Sequence, residues 1–264
     1  TAEVAFYGLL KGLETELNKY KNKVISENKN LSAEELTRLI ELRPRVEKIA
    51  VKDVKARTFI TDDTSRDEMV SHVYDITYGS VKAGIDTLVV IDDSIVRGTT
   101  LQKSILSILD RLNPKKIIIV SSAPQIRYPD CYGIDMSRMG DFAAFSAAVE
   151  LLKERGLDDI LHSTYVAAKL ELEKPAEEQR CVVKDIYAPF TDAEMNKKIA
   201  DMLKPNDLRA EFDILFQSVE NLHKACPNDA GDWYFTGDYP TPGGNQVANR
   251  AYVYYIEGKK ERAY

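Results

Sequence analysis

An α/β fold built on a mostly parallel sheet flanked by helices is predicted by three stretches of this chain. Leu88-Val89-Val90-Ile91 is an unbroken apolar run rich in β-branched residues, the pattern of a strand buried on both faces in a parallel sheet packed between helices. Beyond Gly98, the apolar residues Leu101, Ile105, Ile108, Leu109 and Leu112 recur at helical spacing until Asn113-Pro114 stops them. Lys116 to Ser121 then reads as another buried strand. From Leu157 onward the pattern becomes mainly helical, so the expected organisation is a core over 1–156 with a helical C-terminal extension over 157–264.

In chain order, Thr1 to about Tyr20 predicts a helix with Val4, Leu9, Leu10, Leu13 and Leu17 on one face, followed by a polar linker from Lys21 to Asn30. Ser32 with Glu35 is a capping box that opens a helix through Leu36, Leu39 and Ile40, ending before Pro44. Lys48 to Ile60 alternates charged and apolar residues and supplies one or two strands, and Thr61 to Thr77 is polar and weakly periodic. After the second buried strand, the loop Ser122 to Asp130 lies at the carboxyl edge of the sheet, where Arg127 and Tyr128 could point into a site. Arg127 could equally make an ion pair. Met139 to Arg155 predicts a helix with Phe142, Phe145, Val149 and Leu152 inward, closed by Gly156. Thr191 with Glu194 is another capping box, and Leu208, Phe212, Leu215, Val219 and Leu222 fit one face of a helix. Trp233 to Gly244, rich in Gly, Pro and aromatics, predicts a structured loop.

Composition narrows the class of function. The chain has 264 residues and 44% hydrophobic content, enough for a sizeable core. A formal net charge of -6 leaves no basic footprint for nucleic acid, and no apolar run is long enough to cross a membrane. Cys131, Cys181 and Cys226 are too few and too scattered for a disulfide framework, which together with the absence of a signal peptide predicts a reducing cytoplasm. The opening without Met suggests an excised fragment.

The candidate site follows the first buried strand. Asp92 and Asp93 stand at its carboxyl end, where ligands bind in open α/β sheets. Gly98, Thr99 and Thr100 open the helix, whose unpaired N–H groups and positive dipole end suit an anion. Carboxylates beside a phosphate repel it unless they face a sugar diol, a magnesium ion or positive charge developing on a sugar ring. The implied ligand has a phosphate at one end and a ribose at the other. Neither Gly-x-Gly-x-x-Gly nor Gly-Lys-Ser/Thr occurs, which argues against dinucleotide and Walker sites.

The string Asp92-Asp93-Ser94-Ile95-Val96-Arg97-Gly98-Thr99-Thr100 resembles the phosphoribosylpyrophosphate signature of type I phosphoribosyltransferases, in the form used by the glutamine phosphoribosylpyrophosphate amidotransferases. Further matches stand in order: Arg57-Thr58-Phe59-Ile60 upstream, Ser122-Ala123-Pro124 through Ile126-Arg127 and Tyr132 to Met136 downstream, and Phe235 to Thr241 near the end. The resemblance covers only the transferase half of that family.

It implies that ammonia attacks C1 of phosphoribosylpyrophosphate, giving 5-phosphoribosylamine and pyrophosphate, the opening step of purine synthesis. Asp92 and Asp93 would hold the ribose hydroxyls directly or through Mg²⁺, with Thr1 near the metal, and Ser94 to Thr100 would grip the 5′-phosphate. The family's lid would fall on Thr61 to Thr77, with Arg57, Arg66 and His72 as its candidate contacts; Ser71, His72 and Val73 stand where family lids carry basic residues. That departure leaves a second expectation, a non-catalytic domain that binds phosphoribosylpyrophosphate as a regulator. The resemblance also implies a glutaminase domain as ammonia source, a strand ahead of Thr1 and a homo-oligomer. Some relatives carry an iron–sulfur cluster, but Asp130, Gly231 and Tyr234 occupy the matching cysteine positions, which argues against one.

Overall fold

The computed structural model describes residues 2–28, 30–47, 50–52, 74–76, 79–131, 136–228 and 231–263. Helix α1 spans Ala2–Glu27 and runs straight through the segment expected to be a linker. Lys21 to Glu27 contains no Gly or Pro, and the ion pairs Lys19–Glu16 and Lys23–Glu27 lie one turn apart on the helix surface. Lys21 Nζ also donates to Ile40 O at 2.9 Å, tying α1 to α2. Helix α2, Ala33–Glu41, starts at the capping box, with Glu35 N–H donating to Ser32 Oγ and Ser32 N–H to Glu35 Oε2. Strand β1, Ala50–Lys52, pairs antiparallel with β2, Tyr74–Ile76. The second of these lies inside the stretch read as lid; Arg57, Arg66 and His72, like Thr1, lie outside the described residues.

The central sheet is parallel, with strands β3 Thr87–Asp92, β4 Lys116–Ser121 and β5 Glu211–Phe216 in the order β3-β4-β5. Leu88 faces Ile117, and Ile117 faces Phe212. Two expectations change here. Val89 is 46% exposed, so β3 is not buried on both faces. The predicted helical stripe Leu208 to Leu222 is instead β5 followed by the short helix α8, Val219–Ala225. Steps of three and four over so few residues cannot separate the two periods, and Phe212-Asp213-Ile214-Leu215-Phe216 also alternates by two. Backbone pairing with β4 decides the matter, burying Ile214 and leaving Leu215 half exposed.

Between β3 and β4 the chain makes a π-helical turn, Leu101–Ile105, that continues into α3, Leu106–Asp110. Helix α4, Ala143–Glu154, ends in a Schellman motif: Gly156 has φ +65°, and Leu157 N–H reaches Leu152 O at 2.8 Å. Helices α5 Asp159–Leu172, α6 Lys184–Tyr187 and α7 Asp192–Leu203 lead to β5. The expected Trp233–Gly244 loop holds one helical turn, α9 Trp233–Thr236, and then enters α10, Pro242–Ile256, where proline at the first position needs no N–H partner.

Phe142, Phe145, Leu152, Met195, Ile214 and Tyr252 are fully buried in one cluster with Leu106, Ile117 and Ile119, so the core runs across residue 156. Phe145 meets Tyr255 edge-on with centroids 4.7 Å apart. No described helix is long and apolar enough to cross a membrane.

The α4–α7 contact is clamped at the surface by Arg155 on Glu194 and by Lys198 on Glu154 at 2.5 Å. The Thr191 N–H, the Arg155 guanidinium and the Thr191 hydroxyl together pull the Glu194 carboxyl down from 4.5 to about 2. A depressed carboxylate stabilises the fold above its unfolded value and loses that contribution as pH falls. In thermal melts, Glu194→Gln is therefore less stable than the parent at neutral pH, and the gap closes as pH drops from 4.5 towards 2.

Candidate functional site

Parallel pairing sets Asp92 opposite Ser121 and Ser121 opposite Phe216, so all three strands release the chain at the same edge. The turn after β3 is held by its own side chains: Asp93 N–H donates to Asp92 Oδ1 at 2.9 Å, and Ser94 N–H to Asp93 Oδ1 at 2.8 Å. Strand β4 fixes it from the side. Ser122 N–H donates to Asp92 O at 2.9 Å and Ser122 Oγ to Asp93 O at 3.0 Å.

Asp92 is partly buried and Asp93 exposed. Burial raises the Asp92 carboxyl above the usual carboxylate range; the Asp93 N–H opposes this, and the adjacent Asp93 charge adds to it. Such a carboxylate gains from any hydroxyl donor or cation that approaches and repels an anion. Among the described residues, no group of three His, Cys, Asp or Glu side chains is arranged to hold a metal.

The rest of the predicted string divides by role. Ile95 is buried in the core, and Val96 O accepts from Ala143 N–H at 2.8 Å, anchoring the loop to the start of α4. Arg97 Nη2 lies 3.1 Å from Asp141 Oδ2. Gly98 has φ +71°, and a Cβ there would stand 2.5 Å from Leu203 Cδ1, so both backbone and packing demand glycine. Thr99 and Thr100 are exposed at the helix opening. Gln102 N–H donates to Gly98 O at 2.9 Å, and its side-chain amide to Met202 O at 3.2 Å. The loop thus rests on the last turn of α7.

Arg127 takes the ion-pair option. It meets Asp192 Oδ1 at 2.5 Å and Gln125 Oε1 at 2.7 Å, and lies over the Tyr187 ring at 5.3 Å. Tyr128 is buried, edge-on to Tyr187, and does not enter the site. Sequence reasoning gave no role to Ser122, Asp141 or Leu203. Only Ser122 left a signal, a hydroxyl directly after a second strand at the same edge as Asp92.

Among curated proteins, amidophosphoribosyltransferase from Haemophilus influenzae is 38% identical over 92 residues, which is 34% of this chain and 18% of that protein. The enzyme of the same name from Pasteurella multocida is 41% identical over 75 residues, 28% of this chain and 15% of that protein. A segment of this chain is thus similar in sequence to part of the amidophosphoribosyltransferases. It spans less than a fifth of the length of either relative. No protein-family model matches it. A solved glutamine phosphoribosylpyrophosphate amidotransferase from B. subtilis, complexed with ADP and GMP, aligns over 74% of this chain and 32% of its own, with 24% identity and a TM-score of 0.41.

Two outcomes follow from the loop's geometry. Asp92→Asn removes a charge that is costly to bury while keeping an acceptor for the Asp93 N–H. A carboxyl raised in the folded state weakens the fold as pH climbs past its unfolded value. The variant therefore melts higher than the parent at neutral pH, with the gain vanishing below pH about 3.8, where both forms are neutral. Gly98→Ala costs on the order of 1–3 kcal/mol in urea unfolding from its left-handed backbone and the Leu203 overlap. Adding Leu203→Ala to that variant relieves the overlap but not the backbone strain, so the combined loss is less than the sum of the two single losses.

Proposed function

We propose that this chain is the phosphoribosyltransferase part of an amidophosphoribosyltransferase, with a type I phosphoribosyltransferase-like sheet. One observation carries the reading. An acidic pair at the carboxyl end of a parallel strand is followed, within one short loop, by a left-handed glycine and two exposed threonines opening a helix. The related segment in amidophosphoribosyltransferases supports it. The proposed division at residue 156 then separates the sheet-edge motifs from the helical extension that carries the Phe235 to Thr241 match, while the buried core runs across it.

The ligand is phosphoribosylpyrophosphate. Its 5′-phosphate accepts hydrogen bonds from N–H groups of the loop beyond Ser94, whose own N–H is held by Asp93, and from the Thr99 and Thr100 hydroxyls. Its 2′- and 3′-hydroxyls donate to Asp92 and Asp93. The nitrogen lone pair of ammonia forms the new bond at C1 as the bond from C1 to the pyrophosphate oxygen breaks, and that electron pair leaves with pyrophosphate. The product ammonium then loses one proton to solvent. Positive charge builds on the ribose ring in between, and two carboxylates held by backbone hydrogen bonds would stabilise it with little reorganisation at the barrier. The lid contacts proposed for Arg57, Arg66 and His72 would exclude water.

Magnesium fits this donor set. Two carboxylates with one partly desolvated suit a hard cation that takes its remaining oxygens from water and substrate, with Thr1 a further candidate ligand. When bound, the ion neutralises charge on the pyrophosphate leaving group. A glutaminase domain as ammonia source and assembly as a homo-oligomer belong to the same proposal.

Asp93→Asn tests it. Ammonia-dependent formation of pyrophosphate falls roughly 100-fold or more in kcat/KM, the scale for losing one fixed electrostatic contact. Calorimetric titration with phosphoribosylpyrophosphate and Mg²⁺ loses its heat in the Asp92→Asn, Asp93→Asn double variant. Near-normal turnover in the single variant sinks the catalytic role, and undiminished binding in the double variant sinks the placement of the ribose.

A further inference from the structure

The connection from β4 to α4 meets the acidic turn and its loop at both ends. At its start Ser122 donates through its amide to Asp92 O and through its hydroxyl to Asp93 O. At its far end Asp141 pairs with Arg97, and the Ala143 amide just beyond donates to Val96 O. Its middle is held by the C-terminal half of the chain.

The Arg127 and Tyr128 N–H groups both donate to Tyr234 O of α9, at 2.8 and 3.1 Å. Arg127 O accepts from the Tyr187 hydroxyl of α6, and Pro129 O from the Tyr239 hydroxyl, each at 2.7 Å. Asp130 N–H then donates to Met136 O at 3.1 Å, so the part of the connection that leads to Asp141 is tied to the same point. Pro129 is buried, and a buried carbonyl that loses its donor is costly to leave unpaired.

The stretch around Tyr239 is shaped to deliver that hydroxyl. A Cβ on Gly244 would stand 2.3 Å from Tyr239 Cδ1, so glycine there makes room for the ring. Asp238 pairs with Lys184 at the start of α6, joining the two elements that carry the hydroxyls. Burial pushes the Tyr187 and Tyr239 phenols far above their ordinary range, so both remain donors at any working pH.

We propose that Tyr239 and Tyr187 are positioning residues for the site, their hydroxyls fixing the middle of the β4–α4 connection so that its two ends hold Asp92 to Gly98 in place. This gives the Phe235 to Thr241 stretch a role in the reaction without touching substrate, and it rests on the function proposed above. The leverage is geometric: a displacement of about 1 Å at reacting groups costs on the order of 100-fold in rate.

The test compares the whole parent chain with the Tyr187→Phe, Tyr239→Phe double variant, which keeps both rings, and with Ala168→Gly, which weakens the buried side of α5 away from the connection. Two quantities are read well below every melting temperature: kcat for ammonia-dependent formation of pyrophosphate, and hydrogen exchange at the Ser122 and Ala143 amides, the donors to Asp92 and Val96. In the double variant kcat falls at least fivefold and both amides exchange at least threefold faster; Ala168→Gly lowers the melting temperature and changes neither.

A smaller fall in kcat overturns the proposal, because a merely structural pair of hydroxyls lowers the melting temperature alone. A fall in kcat without faster exchange at the two amides overturns it as well, since the connection then does not carry the effect, and so does an equal fall in Ala168→Gly. If the parent forms no pyrophosphate, the function proposed above fails and exchange decides the positioning by itself: faster exchange at both amides in the double variant alone supports it, and any other pattern overturns it.

Discussion

Strand β4 is paired along its whole length on both sides, and the arrangement of the site depends on that ladder. Its partners come from distant parts of the chain, β3 some thirty residues before and β5 about ninety-five after. Parallel hydrogen bonding gives all three strands one direction, so the acidic turn, the Ser122 loop and the Gln217 turn emerge together. Ser122 can grip the backbone of Asp92 and Asp93 only because Asp92 and Ser121 share a register position. The carboxylates are thus placed by main-chain geometry, and their electrostatic cost is borne by a core that includes Ile117, Ile119 and Ile214.

Much of this was legible in the residues themselves. The two strands around the glycine loop, both capping boxes and the glycine that closes α4 follow from local chemistry alone: apolar runs, Ser or Thr with Glu three residues on, and a residue free to adopt positive φ. What local chemistry could not show was pairing. Strand β5 reads equally well as helix until β4 supplies hydrogen-bond partners, and Val89 looks like core until its neighbours are counted in space. The extension of α1 past Tyr20 was hidden for another reason: between Lys21 and Glu27 only Val24 and Ile25 are apolar, too few to show a period, while helix propensity and one-turn ion pairs persist.

Site residues divide along the same line. Asp92 to Thr100 announce themselves because chemistry and sequence coincide in one continuous string. Leu203 and Asp141 matter through contacts made across a hundred and about forty residues of chain, respectively, and nothing in their local surroundings distinguishes them. Helix α7 lies under both ends of the carboxyl edge, with Asp192 at its start on Arg127 and Leu203 at its end beneath Gly98.

The π-helical turn over Leu101–Ile105 sets the rotational phase between the two halves of its helix. Leu106 N–H reaches back five residues to Leu101 O, so one more residue is wound into this turn than an α-helix would hold. Each residue advances an α-helix by about 100°. Without the extra residue, Leu106 and Leu109 could stay in the core only if Thr99 and Gln102 swung by roughly that angle away from their present positions. Chain length in this turn is therefore under tight constraint: a single-residue deletion would aim the loop elsewhere.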